Sequence, residues 1–307
     1  MSPTDALPKT GVLSPAFRYA AGTEAFGSER LPRLRGLMRS ELRLVFLRPR
    51  TAAMLGFLAF VPVMLGVALR YFHDGGSSGG NGGGTVDFVN QVTGNGLFLV
   101  FASLAAALPF FLPMTVGVVA GDSIAGEAHA GTLRYLLVAP AGRTRLLSVK
   151  FAGVLAFCLA ATLTVALSAL VVGAALFPMG DVPLLTGDTI SMGEASWRAV
   201  LIALCVAASL VGLAAIGLFV STLTTVPVAA MATTVGVVIV TAILTGIPQL
   251  SAIHPWLFTD GWMSFGDLLR NPIPTDEIVR NLGIQAAYTA IFGAAAWARM
   301  TERDITT

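Results

Sequence analysis

The stretch Ala120–Phe151, AGDSIAGEAHAGTLRYLLVAPAGRTRLLSVKF, is a polar insert between two very apolar runs, and it holds nearly all the charge in the middle of the chain. Its glycines and its proline divide it. Gly121 and Gly131 bracket DSIAGEAHA, which reads as a short helix begun by Asp122 or Ser123 as N-cap. After Gly131, Thr132 is placed to cap a second short helix in which Leu133, Leu136 and Leu137 share a face at i, i+3 and i+4. Pro140 and Gly142 stop that helix, and Arg143, Arg145 and Lys150 anchor the return to the next apolar run. The pattern predicts a compact elbow with a leucine face and a charged rim of Asp122, Glu127, Arg134 and Arg143. Such a face buries itself in lipid headgroups or in another protein, and the residues alone leave both open.

The surroundings say where the elbow sits. Of 307 residues, 55% are hydrophobic and 12% charged, against about 25% charged in a soluble domain. The mean hydropathy is +0.79. This composition belongs to a membrane protein. Cys158 and Cys205 both lie inside apolar runs and read as small buried hydrophobes, with no disulfide framework or metal site behind them. The first apolar run begins near Thr51, after nine Lys and Arg residues, so it reads as an uncleaved anchor and not as a secretory signal.

A helix needs roughly 20 apolar residues to cross the hydrocarbon. Thr51–Arg70 supplies a first span, Leu97–Ala120 a second with Pro109 and Pro113 inside it, and Phe151–Phe177 a third. The stretch Ala199–Thr259 has no formally charged residue and is too long for one crossing, so STLTTVP, Ser221–Pro227, is expected to break it into two. Asn281–Ala298, flanked by Arg280 and Arg299, supplies the sixth. Pro109 and Pro113 are candidates for a kink that makes a gate.

Charge orients the spans. With six crossings, fifteen Lys and Arg residues fall on one side: nine before the first span, then Arg134, Arg143, Arg145, Lys150, Arg299 and Arg303. The other side has Arg70, Arg198, Arg270 and Arg280. The positive-inside rule therefore predicts a multi-pass protein of the cytoplasmic membrane with both termini in the cytoplasm. On the outside, HDGGSSGGNGGGTVD, His73–Asp87, reads as a Gly/Ser-rich tether, and Pro178–Trp197 as a short acidic loop. Pro248–Leu282 mixes Trp256, Phe258, Trp262 and Phe265 with turn residues, the pattern of an interfacial or re-entrant segment.

Leu31–Arg48 alternates apolar residues with arginine. At helical spacing Leu34, Leu37, Met38, Leu42 and Val45 fall on one side, and Arg35, Arg39 and Arg43 on another. A basic amphipathic helix ahead of a span is predicted to lie in the membrane interface with its arginines at lipid phosphates. The chain thus divides into a cytoplasmic tail (1–30), an interfacial helix (31–50), a six-helix membrane domain (51–299) with its cytoplasmic elbow (121–150), and a short tail (300–307).

The elbow resembles the signature region of type 2 permeases of ATP-binding cassette (ABC) transporters. The resemblance is carried by Asp122, Ile124, Ala125, Glu127, Gly131, Thr132, Leu133, Leu136, Leu137, Pro140, Arg143 and Lys150, in that order, and RMTERDI at Arg299–Ile305 is similar to the family's ending. Ala128, His129 and Arg134 depart from the usual polar or acidic residues. The resemblance implies an all-α, six-span exporter subunit whose elbow is a coupling helix docking on a separate ATPase, through Asp122, Glu127, Thr132, Leu133, Leu136, Leu137, Pro140 and Arg143. It also implies two ATPase copies and a second permease, either another copy of this chain or a sister.

The other chemistry of the chain is sparse. Lys9 and Lys150 are its lysines, and neither follows the glycines of a phosphate-binding loop. The chain is therefore expected to hold no cofactor and to be no enzyme by itself, with ATP and Mg bound by the partner subunit. His73, His129 and His254 stand apart from any ligand set, no serine–histidine or paired-carboxylate arrangement suggests a protease, and nothing suggests nucleic acid. Spans with essentially no ionisable residue at mid-depth argue against a proton-coupled carrier and fit a hydrophobic or amphipathic cargo. A rival reading is a non-transporting scaffold or sensor that uses the elbow to recruit a cytoplasmic partner.

Overall fold

The computed structural model describes residues 30–75, 94–131, 143–183 and 188–302. Helix α1 (Arg30–Phe46) stops at Leu47 and Arg48, and α2 (Pro49–Gly75) starts at once. Pro49 has no N–H with which to prolong α1, but its fixed φ suits the first turn of α2. Helix α3 (Phe98–Ala107) meets α4 (Phe111–His129) at 55°. Pro109 sits in the break and Pro113 in the first turn of α4, so the bend expected of the second apolar run is present. Phe111 fills the elbow of this bend, with ring centroids 5.5 Å from Phe57 and 5.6 Å from Phe110.

Helix α5 (Arg143–Leu176) is the longest at 34 residues. A two-residue hairpin, β1 (Val182–Pro183) against β2 (Thr189–Ile190), follows it and pairs Val182 with Ile190. Helix α6 (Met192–Ser209) opens on Ser191, whose hydroxyl accepts from the Glu194 amide at 3.4 Å. It runs on across Leu210 into α7 (Val211–Leu223), giving one span of 32 residues. The predicted break at Ser221–Pro227 is real: α7 ends at Leu223 and α8 (Pro227–Thr245) begins on its proline. Three short 3₁₀ segments, Pro248–Leu250, His254–Trp256 and Asp260–Leu269, lead to α9 (Asp276–Glu302).

Among the described residues, four helices are long and apolar enough to cross a membrane, or five if the bent α3–α4 pair is one span. The run expected to be the sixth lies within α9 but falls outside that group. It spends part of its length on polar contacts: Asn281 and Gln285 are buried there, against Ser209 and the Phe258 carbonyl. The centre of the bundle is α6–α7, with 61% of its most apolar stretch buried, whereas α2 and α8 are peripheral at 22% each.

One expectation is corrected. The short helix predicted from Gly121 does not exist as a separate element, because α4 continues unbroken to His129 and Asp122 lies in its interior. Gly121 serves packing: a Cβ there would come within 2.8 Å of the Met231 backbone on α8. The stop comes at Gly131, whose φ of +70° favours a residue without Cβ. The aromatic segment, expected to be interfacial or re-entrant, is built of short 3₁₀ segments with uneven exposure. Trp256 is exposed, but Trp262, Phe258 and Phe265 are core residues, with Phe258 against Trp262 at 5.7 Å and Tyr288 at 5.5 Å. The Gly/Ser tether, the amino-terminal tail and the last five residues fall outside the described residues, as do Thr132, Leu133, Leu136, Leu137 and Pro140.

Where α3 and α5 approach, the backbones themselves touch: a Cβ on Gly96 would lie 2.4 Å from the Gly173 carbonyl oxygen. Gly173→Val is expected to lower stability by about 1–3 kcal/mol or more, whereas Gly293→Ala, with open space around it, is expected to be neutral or slightly stabilising. Thermal unfolding of the purified variants in one detergent checks both.

Candidate functional site

The charged residues of the elbow motif are not spread over a surface. Asp122, Glu127 and Lys150 are all buried, and so is Glu41 of α1. Lys150, two turns into α5, donates to both carboxylate oxygens of Glu41 at 3.0 and 2.9 Å and to Glu127 of α4. Asp122, just over a turn above Glu127, accepts from Arg48 and Arg50, each at 2.5 Å. Three carboxylates and three cations thus form a balanced cluster that joins α1, the α1–α2 junction, α4 and α5. A buried ion survives only when paired and hydrogen-bonded, so the sequence has in effect specified how these elements meet. A cavity of about 20 Å³ lies between the two groups, beside Glu41, Arg48, Asp122 and Lys150. It holds a water-sized occupant and no cargo.

Local sequence makes the approach possible. Gly153 lies one turn above Lys150 and lets α1 press close, since a Cβ there would meet Glu41 Cγ at 3.0 Å. Within α4, Ser221 of α7 is inserted beside the helix ladder: its hydroxyl donates to the Gly121 carbonyl at 2.7 Å and accepts from the amides of Ile124 and Ala125 at 3.0 and 2.8 Å. The start of α5 is held as well. Arg143 donates to the carbonyls of Met300 and Thr301 at 3.2 and 2.6 Å, where α9 presents its unsatisfied last acceptors, and Trp297 donates to Thr144 at 2.9 Å.

The two stems of residues 132–142 are therefore clamped, one through Glu127 and the other through Arg143 and Lys150. Of the elbow residues singled out from sequence, Asp122 and Glu127 were expected on a charged rim; both are instead buried braces, because each faces a cation from another element. Arg143 is a brace to α9. Thr132, Leu133, Leu136, Leu137 and Pro140 lie outside the described residues. On α1, Arg39 and Arg43 are exposed, and nothing is described of the Arg35 side chain.

Sequence reading missed Glu41, Arg48, Arg50 and Ser221 as partners. Glu41 had a signal, being the one acid between Arg30 and His73 in a stretch rich in arginine. Ser221 had none, since it meets backbone about a hundred residues away.

At the other end of the bundle a second polar set closes α6, α9 and the 3₁₀ segment. Arg198 donates to the carbonyls of Leu268 and Arg270 and pairs with Glu194. Asn281 donates to Ser209 at 2.7 Å, and Gln285 donates to the Phe258 carbonyl at 2.7 Å while accepting from the Gly212 amide at 3.2 Å. These bonds are structural. Every named group has its partner.

Replacing Lys150 by Met leaves two buried carboxylates facing each other, and is expected to cost about 3–5 kcal/mol. The triple change Lys150→Met, Glu41→Gln and Glu127→Gln is expected to recover much of the loss. Arg280→Ala, which removes exposed pairs to Asp260 and Glu277, is expected to cost no more than about 1 kcal/mol. Chemical or thermal unfolding of the purified chain ranks the three.

The model of the ABC-2 family of transporter proteins matches residues 35–255, from α1 to the 3₁₀ segments after α8. No curated protein matches the chain. The matched region contains the whole ion-pair cluster together with the elbow motif, and the apolar helices make the protein multi-pass. The chain belongs to the ABC-2 transporter family, as a membrane permease whose kind works with an ABC ATPase.

Proposed function

We propose that the chain is the membrane-spanning subunit of an ABC exporter, moving a hydrophobic or amphipathic substrate across the cytoplasmic membrane with energy from a separate ATPase. In this reading α9 is the sixth crossing, supported by its 27-residue length and by its packing along α7, and both termini are cytoplasmic. Residues 132–142 form the part of the elbow that docks on the ATPase, with Leu133, Leu136 and Leu137 as the contacting face. Arg35, Arg39 and Arg43 lie at lipid headgroups, the bend at Pro109 and Pro113 serves as the gate, and two ATPases act on two permease subunits. The chain itself hydrolyses nothing.

The observation that carries the reading is the clamping of the two stems of 132–142 by Glu127–Lys150 and Arg143–Met300. A docking segment transmits force only if it cannot rotate freely on its stems. Here the stems are tied through buried charges to α1 and through backbone acceptors to α9, so a push on the segment is delivered to α1, α4, α5 and α9 together. Asp122, Glu127 and Arg143 then couple by bracing, and the leucines by contact.

The chain and an ABC ATPase co-reconstituted in liposomes are expected to move an amphipathic fluorescent probe only when ATP is supplied. Leu133→Asp with Leu137→Asp is expected to reduce that movement about tenfold or more, as loss of a docking anchor does, with the unfolding temperature of the permease unchanged. ATPase binding without any cargo movement, insensitive to the leucine changes, would assign the chain to the scaffold class instead.

A further inference from the structure

Helix α1 has two faces with different fates. At about 100° per residue, Glu41 points to the side that meets α5 and Glu127 of α4, and Arg39 and Arg43 lie roughly opposite it. On that outer side Met38, Arg39, Leu42, Arg43, Phe46 and Leu47 form one open, shallow surface along the helix and its end. Leu47 is 75% exposed, and neither Arg39 nor Arg43 has an ion-pair partner among the described residues. Two exposed arginines one helical turn apart, beside apolar side chains, complement a phosphate monoanion with hydrocarbon attached. Arginine forks match phosphate oxygens, and Met38, Leu42, Phe46 and Leu47 suit an acyl chain.

We propose that this outer face of α1 is a binding site for one class of partner, an anionic phospholipid, with its headgroup phosphate on Arg39 and Arg43 and its chain along Leu42, Phe46 and Leu47. The inference deepens the reading of α1 as an interfacial helix and rests on it. Charge complementarity selects the lipid class: a zwitterionic headgroup carries its own cation close to the phosphate and competes with the arginines, whereas an anionic headgroup leaves the phosphate charge to them. Position supports the same occupant, because Pro49 starts the first span three residues after Phe46, which keeps this face beside the membrane surface. Since Glu41 on the inner face is fixed to Lys150, a lipid on the outer face also loads the ion-pair cluster: it holds α1 in the plane in which the Glu41–Lys150 contact is made.

The test uses the purified full chain in detergent, titrated with short-chain phosphatidylglycerol or phosphatidylcholine, with bound lipid counted by native mass spectrometry. Phosphatidylglycerol is expected to bind in preference, and Arg39→Gln with Arg43→Gln to weaken it on the order of tenfold. Arg39→Lys with Arg43→Lys is expected to keep most of the binding. Bound phosphatidylglycerol is also expected to raise the unfolding temperature of the parent chain more than that of the Gln variant. Equal retention of the two lipids, or binding untouched by the Gln changes, overturns the proposal. So does binding of the ATPase subunit that depends on Arg39 and Arg43 when no lipid is retained by the chain alone, which would give the face to protein. No transport step enters the measurement, so its failure is distinct from failure of the exporter reading.

Discussion

An ammonium group held between two carboxylates inside an apolar bundle is the constraint from which the rest of this structure follows. Lys150 cannot be buried alone, and neither can Glu41 nor Glu127. Their mutual need sets the height at which α1 lies against α5 and the rotation at which α4 presents its last turns. In hydrocarbon, where apolar surfaces gain little from leaving lipid for protein, such polar ties decide register. The other close approaches complement them. Gly153 admits α1, Gly121 admits α8, and Gly96 meets Gly173, so small residues provide proximity and buried charge fixes the geometry.

The architecture was legible in the sequence as far as hydrophobic length and proline could carry it. The apolar runs, the break before Pro227, the bend at Pro109 and the stop at Gly131 each rest on local chemistry that does not depend on distant partners. The short helix expected at Gly121 failed for an instructive reason. A glycine read as a helix boundary can equally be a contact point, and the difference lies in Met231, more than a hundred residues away. The motif residues Asp122 and Glu127 were identified, but both are buried where a charged rim was expected, because exposure was inferred from charge. Arg48, Arg50 and Lys150 were all visible as positive-inside residues, yet only the folded chain shows that three of those charges are consumed internally.

The aromatic segment after α8 makes a related point. Tryptophan at a membrane edge suggests an interface, and Trp256 with 75% exposure fits that view. Trp262 has the same sequence context but is wrapped by Phe258, whose carbonyl is taken by Gln285 of α9. Gln285 and Asn281 lower the hydropathy of α9 and so weaken its signal as a crossing. The same two side chains tie it to α6, to α7 and to the 3₁₀ region. A polar residue in such a helix subtracts from apparent greasiness while adding to attachment.

Helix α5 is fastened near both of its tips. Lys150 grips at one, and 23 residues on, roughly 35 Å away at 1.5 Å per residue, Gly173 lies backbone to backbone on Gly96. That separation is comparable to the thickness of the hydrocarbon core, about 30 Å. The rod is pinned at one extremity by charged side chains and at the other by bare peptide groups, which offer no side chain to slide on. Any change in the tilt of α5 against its neighbours is therefore expected to pivot near the glycine contact, the point where the two backbones leave each other least room.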